Sequence, residues 1–291
     1  MGASVSFSEQ PLVFSCQGDL LVGVVCRPEK PASVAVLIVV GGPQYRAGSH
    51  RQFVLLARAL AEQGIASFRF DVRGMGDASG EPLGFAATAE DISAALAVFS
   101  QVEPSVSRFV LWGLCDGATA AAIYAPSDPR VCGLVLLNPW VRTASSQART
   151  YLKHYYPKRL LDADFWRKLL RGQIRLSDAI RRFIGTIPDL IGPRETRESN
   201  APELAGKIVD ALHQAHGRSL IVLSGRDYVA REFEEAVAEV PLFSELVAGD
   251  RIDLLHLKAA DHTFSSASHR NAVADATAKW VKIAGRCDAT L

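Results

Sequence analysis

Three apolar runs constrain the fold of this chain more than any other feature. "SVAVLIVVGG" (Ser33–Gly42), "RFVLWGL" (Arg108–Leu114) and "VCGLVLLNPW" (Val131–Trp140) are aliphatic or β-branched and lack strict polar–apolar alternation. A strand with one wet face alternates, whereas a strand covered by helices on both faces does not. These runs therefore predict buried strands of a parallel sheet. "IASFRFDVRG" (Ile65–Gly74), "SLIVLSGRD" (Ser219–Asp227) and "RIDLLHLKAADH" (Arg251–His262) add three more. Helical stripes lie between them. Ser49 and Gln52 have capping-box spacing ahead of Phe53, Leu56, Leu60 and Ala61, and Gly64 is the expected stop. Ile92, Leu96 and Phe99 form a second stripe within Thr88–Gln101. Strand and helix in alternation predict an α/β class, with a mostly parallel, doubly wound sheet. Leu12–Pro28 reads instead as an antiparallel hairpin turning at Gln17–Asp19 on the sheet edge.

The alternation breaks after Trp140. Residues 141–217 hold no convincing strand but do hold helical stripes such as Trp166, Leu169, Leu170 and Ile174. The expected organisation is a core of 1–140 and 218–291 with a helical lid, 141–217, inserted between late strands. The lid is basic. Between Val141 and Gly185, Arg142, Arg149, Lys153, Lys158, Arg159, Arg167, Lys168, Arg171, Arg175, Arg181 and Arg182 face only Asp162, Asp164 and Asp178. Such a face is either simply solvated or meets an anionic partner: an acyl carrier protein, coenzyme A or an acidic membrane surface. Tyr151, Tyr155, Tyr156 and Trp166 either pack the lid or line an acyl channel.

Composition closes off other classes. With 291 residues the chain buries about 75 % of its surface on folding, so it needs no covalent staple. A net charge of +1 argues against bulk electrostatic binding of nucleic acid. Cys16, Cys26, Cys115, Cys132 and Cys287 are odd in number, scattered and never in a C-x-x-C pair, so neither a disulfide framework nor a metal site is expected. Reduced thiols and a cytoplasmic location are the expectation. No run of about 18 apolar residues is present, so no membrane span is expected. The N-terminus lacks a basic segment followed by an apolar one, which argues against a secretory signal. "MGASVS" matches the short, permissive M-G-x-x-x-[ST] acylation pattern at Gly2 and Ser6.

The chemistry centres on "WGLCDGA", Trp112 to Ala118. It follows a buried strand and precedes "ATAAAIYA", a run fit for a helix. Such a strand–turn–helix with glycines two positions either side of a small polar residue is the context of a nucleophile elbow. Cys115 stands at its centre, where the helix dipole favours thiolate; the rival reading is a small residue filling a tight turn. A thiol nucleophile needs a base. His262 follows an apolar strand, whereas His50, His154, His213, His216, His256 and His269 sit at a helix start, inside a strand or in polar helical contexts. The base needs a carboxylate to orient it. Asp227 ends a strand at the same sheet edge, where such sheets collect catalytic groups, or else serves as a turn or cap residue. Asp261 competes, although adjacent side chains rarely point the right way. The oxyanion requires two donors: the N–H of Asp116 and one from Gly41-Gly42-Pro43-Gln44, where Pro43 has none and Gln44 is favoured over Gly42. The Asp116 carboxylate opposes thiolate unless it turns away or meets a cation. "DVRGMGDASG" (Asp71–Gly80) misses the G-x-G-x-x-G spacing, so no dinucleotide cofactor is expected, nor any other cofactor.

On these residues the chain resembles the α/β-hydrolase superfamily over nearly its whole length. "FDVRGMGDASG" looks like the D-x-R-G-x-G-x-S segment of its esterases and S33-type members. More narrowly, "GGPQYRAGSHRQFVLLARAL", "DVRGMGDASGE" and "WGLCDGA" look like the exosortase-A-associated hydrolases of Gram-negative bacteria, encoded near exopolysaccharide and sorting genes. The resemblance implies an α/β-hydrolase fold and a triad of Cys115, Asp227 and His262, in the nucleophile–acid–His order. The cysteine departs from the wider superfamily, resembles dienelactone hydrolases, and places peptide chemistry in doubt. The leading expectation is an acyl hydrolase, thioesterase or esterase, with a small-molecule or carrier-bound acyl substrate and an acyl-enzyme on Cys115. An acyltransferase needs the same triad, and a non-catalytic binding protein would keep the fold alone.

Overall fold

The computed structural model describes residues 6–41, 44–82, 88–141 and 200–284. The lid residues 142–199, with all the basic and aromatic side chains named above, lie outside them. So do Gly2, Gly42, Pro43 and Cys287. Eight strands form one sheet: β1 (Phe7–Cys16), β2 (Asp19–Pro28), β3 (Val34–Val39), β4 (Ser67–Phe70), β5 (Arg108–Leu114), β6 (Val131–Leu137), β7 (Arg218–Ser224) and β8 (Ile252–Leu257). Their spatial order is β1-β2-β4-β3-β5-β6-β7-β8. β1 and β2 pair antiparallel, as does β2 with β4, and every pairing from β4 to β8 is parallel. The hairpin closes through Gln17 and Gly18, both at positive φ.

The helices are α1 (Gln52–Glu62), α2 (Ala89–Val102), α3 (Asp116–Tyr124), α4 (Asn200–Gln214), α5 (Tyr228–Ala238), α6 (Pro241–Ala248) and α7 (Ala267–Ala284). The three apolar runs have their physical reason in the two faces of the sheet. Side chains alternate across a strand. Leu37 and Val39 of β3, Phe109 and Leu111 of β5, and Leu134 and Leu136 of β6 bury with α2, α3, α4, α5 and α6. Val36 and Ile38, Val110 and Trp112, and Val135 and Leu137 bury on the other face with α1 and α7. Both faces are dry, so both sets of positions are apolar.

One expectation changes. Ser49 does not cap a helix: it lies in a 3-10 turn, Ser49–Arg51, whose His50 and Arg51 stand at φ 52° and 59°. That left-handed corner separates Ser49 from α1, which starts at Gln52 without a side-chain cap. Gly64 does end α1, at φ 80°, with the Ile65 N–H returning to Leu60 O at 3.0 Å. Within 141–217, Ala205, Ile208, Val209 and Leu212, at helical spacing, bury α4 in the same core as α3 and α5, where it packs against α3, α5 and α6.

After β3 the chain moves outward to β4, then returns to place β5 on the opposite side of β3. The chain leaves the carboxyl ends of β3 and β5 in opposite directions there, the place where such sheets collect catalytic groups, and Gly41 and Cys115 are on those two loops.

Candidate active site

Strand β5 ends at Leu114 and α3 begins at Asp116, so a single residue makes the corner. That residue is Cys115, at φ 60°, ψ −126°. A non-glycine residue held there costs about 1–3 kcal/mol, met by the surrounding packing. Backbone bonds hold it on all sides. The Cys115 N–H donates to Leu137 O at 2.9 Å, and its carbonyl accepts from Ala118 (3.0 Å), Thr119 (3.2 Å) and Trp140 (3.2 Å) N–H groups. The flanking glycines are steric necessities. A Cβ on Gly113 would stand 2.4 Å from Gly117 O, and one on Gly117 would stand 2.5 Å from Val39 O. Gly41, on the facing loop, approaches as closely, since its Cβ would meet Gly117 N at 2.1 Å.

The Cys115 side chain is half-exposed, whereas Cys16, Cys26 and Cys132 are buried free thiols. Burial pushes the Cys16 and Cys26 thiols up to about 11, and Cys16 also donates to Asp91 Oδ1 at 3.3 Å. Those two are protonated, inert thiols at neutral pH.

His262 and Asp227 come together although 35 positions apart. His262 Nδ1 lies 2.7 Å from Asp227 Oδ2, and Cys115 is near enough to the imidazole to favour its protonated form. Burial opposes the imidazolium charge, but the bonds and charges of Asp227 and Cys115 outweigh it and carry the His262 pKa from 6.5 to about 10. Asp227 is buried and also caps α5, accepting from Val229 N at 3.1 Å and Ala230 N at 3.3 Å. The two readings of Asp227, helix cap and partner of the histidine, hold at once. The cap fixes the carboxylate that faces the ring.

Asp261 points elsewhere. Its Oδ1 accepts from Ser265 N at 2.8 Å and its Oδ2 from the Ser265 hydroxyl, and these bonds hold its carboxyl below the usual range against its partial burial. Asp261→Asn is expected to change turnover by no more than about twofold, as for substitutions clear of a site. Asp227→Asn is expected to cost on the order of a thousandfold, as the orienting acid of a triad does. Steady-state kinetics of the two variants separate the carboxylates.

Beside Cys115, Asp116 heads α3. The Asp116 carboxylate turns back on its own helix, with Oδ1 accepting from Gly117 N at 3.1 Å and lying over Gly41. Gln44 is reached by the Gln52 amide at 3.5 Å. Two residues on, Arg46 pins this loop. Its N–H donates to Asp71 Oδ1 at 2.6 Å and its guanidinium pairs with Asp71 and, at 2.6 Å, with Asp77. Asp71 is fully buried and also accepts the Asp77 N–H at 3.0 Å. The "DVRGMGD" segment is thus the anchor of the loop after β3.

Residues 32–180, just over half of the chain, match the family described as Serine aminopeptidase, S33. The chain belongs to that family. Its fold is that of the α/β-hydrolases. An esterase of Pyrococcus furiosus superposes with a TM-score of 0.62 at 16 % identity, covering 95 % of this chain and 91 % of its own. A dienelactone hydrolase of Anabaena variabilis gives 0.60 at 16 % identity, covering 95 % and 98 %. A proline iminopeptidase of Mycobacterium smegmatis gives 0.59 at 13 % identity, covering 95 % and 99 %. No curated protein matches the sequence.

As an S33-family α/β-hydrolase the protein is an enzyme, with cysteine at the centre of its elbow. Sequence reasoning missed the polar framework beneath the site. Asn138, buried and at φ 42°, bonds Ser224 and the His262 carbonyl, and Thr119 bridges the N–H and C=O of Trp140 at 2.9 and 2.8 Å. The signal for Asn138 was an Asn-Pro pair directly after a buried strand, which reads as a plain turn. Among the described residues no helix is long and apolar enough to cross a membrane.

Proposed function

We propose that the protein is an acyl hydrolase of the thioesterase or esterase type, working through a covalent acyl-enzyme on Cys115. One observation carries the reading: the His262 ring bonds the buried Asp227 carboxylate and has its proton held by Cys115, the residue that makes the corner ahead of α3.

The steps follow from that arrangement. His262 takes the Cys115 proton, and the imidazolium stands beside the thiolate with Asp227 holding its Nδ1–H. The thiolate attacks the acyl carbonyl carbon. The resulting oxyanion is held by the Asp116 N–H and a donor of the loop ending at Gln44. His262 then gives its proton to the leaving thiol or alcohol as the C–S or C–O bond breaks. Water, deprotonated by His262, attacks the thioester, and the acid leaves as Cys115 regains its proton. A thioester acyl-enzyme is near energetic balance with a thioester substrate. This chemistry therefore suits thioesters, lactones and activated esters better than amides.

The likeness of "GGPQYRAGSHRQFVLLARAL" and "WGLCDGA" to the exosortase-A-associated hydrolases supports placing the chain beside them. In the same reading, residues 141–217, with α4 near their end packed against α3, α5 and α6, are an insertion between β6 and β7 that serves as a lid. Their basic side chains suit the phosphates of coenzyme A or the acidic surface of an acyl carrier protein.

The test is to quench reactions with short acyl-coenzyme A, a lactone and an activated ester, then weigh the Cys115 peptide. An acyl adduct on Cys115 that decays to free acid is expected. Diversion of the acyl group to an added alcohol or amine would make the enzyme a transferase. Turnover without an adduct, or no turnover of any of the three, would overturn the proposal.

A further inference from the structure

Asn138 begins the turn after β6, and its side chain is fully committed to hydrogen bonds. It is completely buried, where an amide must satisfy two donors and an acceptor to avoid a desolvation cost. It does so within one small region. Nδ2 donates to Ser224 Oγ at 2.8 Å and to the His262 carbonyl at 3.1 Å, and Oδ1 accepts the Ser224 N–H at 2.9 Å. Its own N–H donates to Val222 O at 3.0 Å.

The partners are not arbitrary. Ser224 ends β7, three residues before Asp227, and His262 is tied through its backbone rather than its ring. Leu137 and Trp140, on either side of Asn138, hold the Cys115 N–H and C=O. One short segment therefore anchors the nucleophile turn by backbone bonds, while its amide joins the acid-bearing strand to the histidine loop.

We propose that Asn138 is the positioning residue that sets His262 between Asp227 and Cys115; this rests on the triad reading above. Side-chain chemistry and backbone both select asparagine. An aspartate could accept the Ser224 N–H but could not donate to the Ser224 hydroxyl oxygen and the His262 carbonyl together. An aliphatic residue would strand all three partners. The left-handed φ of 42° is one that asparagine adopts more readily than most side chains. A displacement of the ring by about 1 Å is enough to cost on the order of a hundredfold in rate.

The experiment compares wild type, Asn138→Asp and Ser224→Ala by thermal midpoint, by kcat and KM on an activated ester, and by iodoacetamide alkylation of Cys115 against pH. For Asn138→Asp, kcat is expected to fall about 10- to 100-fold with KM within about threefold, and the alkylation profile to shift toward that of a free thiol. Ser224→Ala, which removes one of the Nδ2 acceptors, is expected to lose about 3- to 10-fold in kcat. A stable Asn138→Asp protein with the wild-type kcat and alkylation profile overturns the positioning role. If Asn138→Asp does not fold, Ser224→Ala decides alone, and wild-type kinetics in it overturn the role. A wild-type Cys115 that alkylates as a free thiol overturns the triad reading and the positioning role together, a result distinct from loss of the second alone.

Discussion

Cys115→Ala is expected to lower kcat by about 10⁴-fold or more, as removal of a triad nucleophile does, and to make His262 titrate at a lower pH. The first effect follows because no other described thiol is placed to substitute. Cys16 and Cys26 are buried and pushed up to about 11. The second effect follows from what raises His262. Asp227 and Cys115 each contribute a hydrogen bond and a charge that hold its proton, against burial that opposes it. Without the sulfur, half of those causes vanish. The His262 midpoint, about 10 in the intact site, moves down. Kinetics on the ester substrate read the first effect, and NMR titration of the His262 ring reads the second. The fold should survive, since alanine at φ 60° carries the same backbone strain as cysteine and buries less. Retained turnover would mean that Cys115 only fills a tight turn, and an unmoved His262 would mean that the two side chains do not communicate.

The sheet was legible because its strands are buried on both sides. β3, β5 and β6 alternate between two dry faces, so their sequences carry continuous apolar runs that no other local structure explains as well. The elbow was legible for a steric reason: Gly113 and Gly117 have no room for a Cβ. Asp227 was legible as an alternative between two roles, and the structure shows why the choice was false, since one carboxylate accepts helix N–H groups and faces the imidazole. What could not be read was long-range and polar. Nothing in the spacing announces that Asn138 reaches Ser224 and His262, 86 and 124 positions away. Nor does it announce that Arg46 of the loop after β3 is held by Asp71 of the glycine-rich segment. The capping box failed because spacing does not reveal a left-handed corner such as His50–Arg51.

His262→Ala is expected to abolish hydrolysis and to change how the protein's stability depends on pH. His262 has a folded pKa of about 10 against 6.5 unfolded, so the folded state holds the extra proton between those values. A raised pKa of this kind contributes stability that is fully present below about 6.5 and is lost as the pH climbs through about 10. Wild type should therefore lose more stability than His262→Ala between neutral pH and about 10, as measured by urea midpoints at matched ionic strength. The same titration governs the chemistry, because the leaving group needs the imidazolium proton. Acylation by wild type should decline above about 10. In the variant the sulfur has no base, and at about pH 6.5 an ordinary thiol with a pKa near 8.5 is only about 1 % thiolate. Alkylation of Cys115 there should fall up to about 100-fold, with the loss partly offset by the greater intrinsic nucleophilicity of a more basic thiolate. The two readouts are independent, one on the whole molecule and one on a single sulfur. Superimposable stability curves together with an unchanged alkylation rate would show that His262 carries no proton for Cys115, and the assignment of the pair as base and nucleophile would fall.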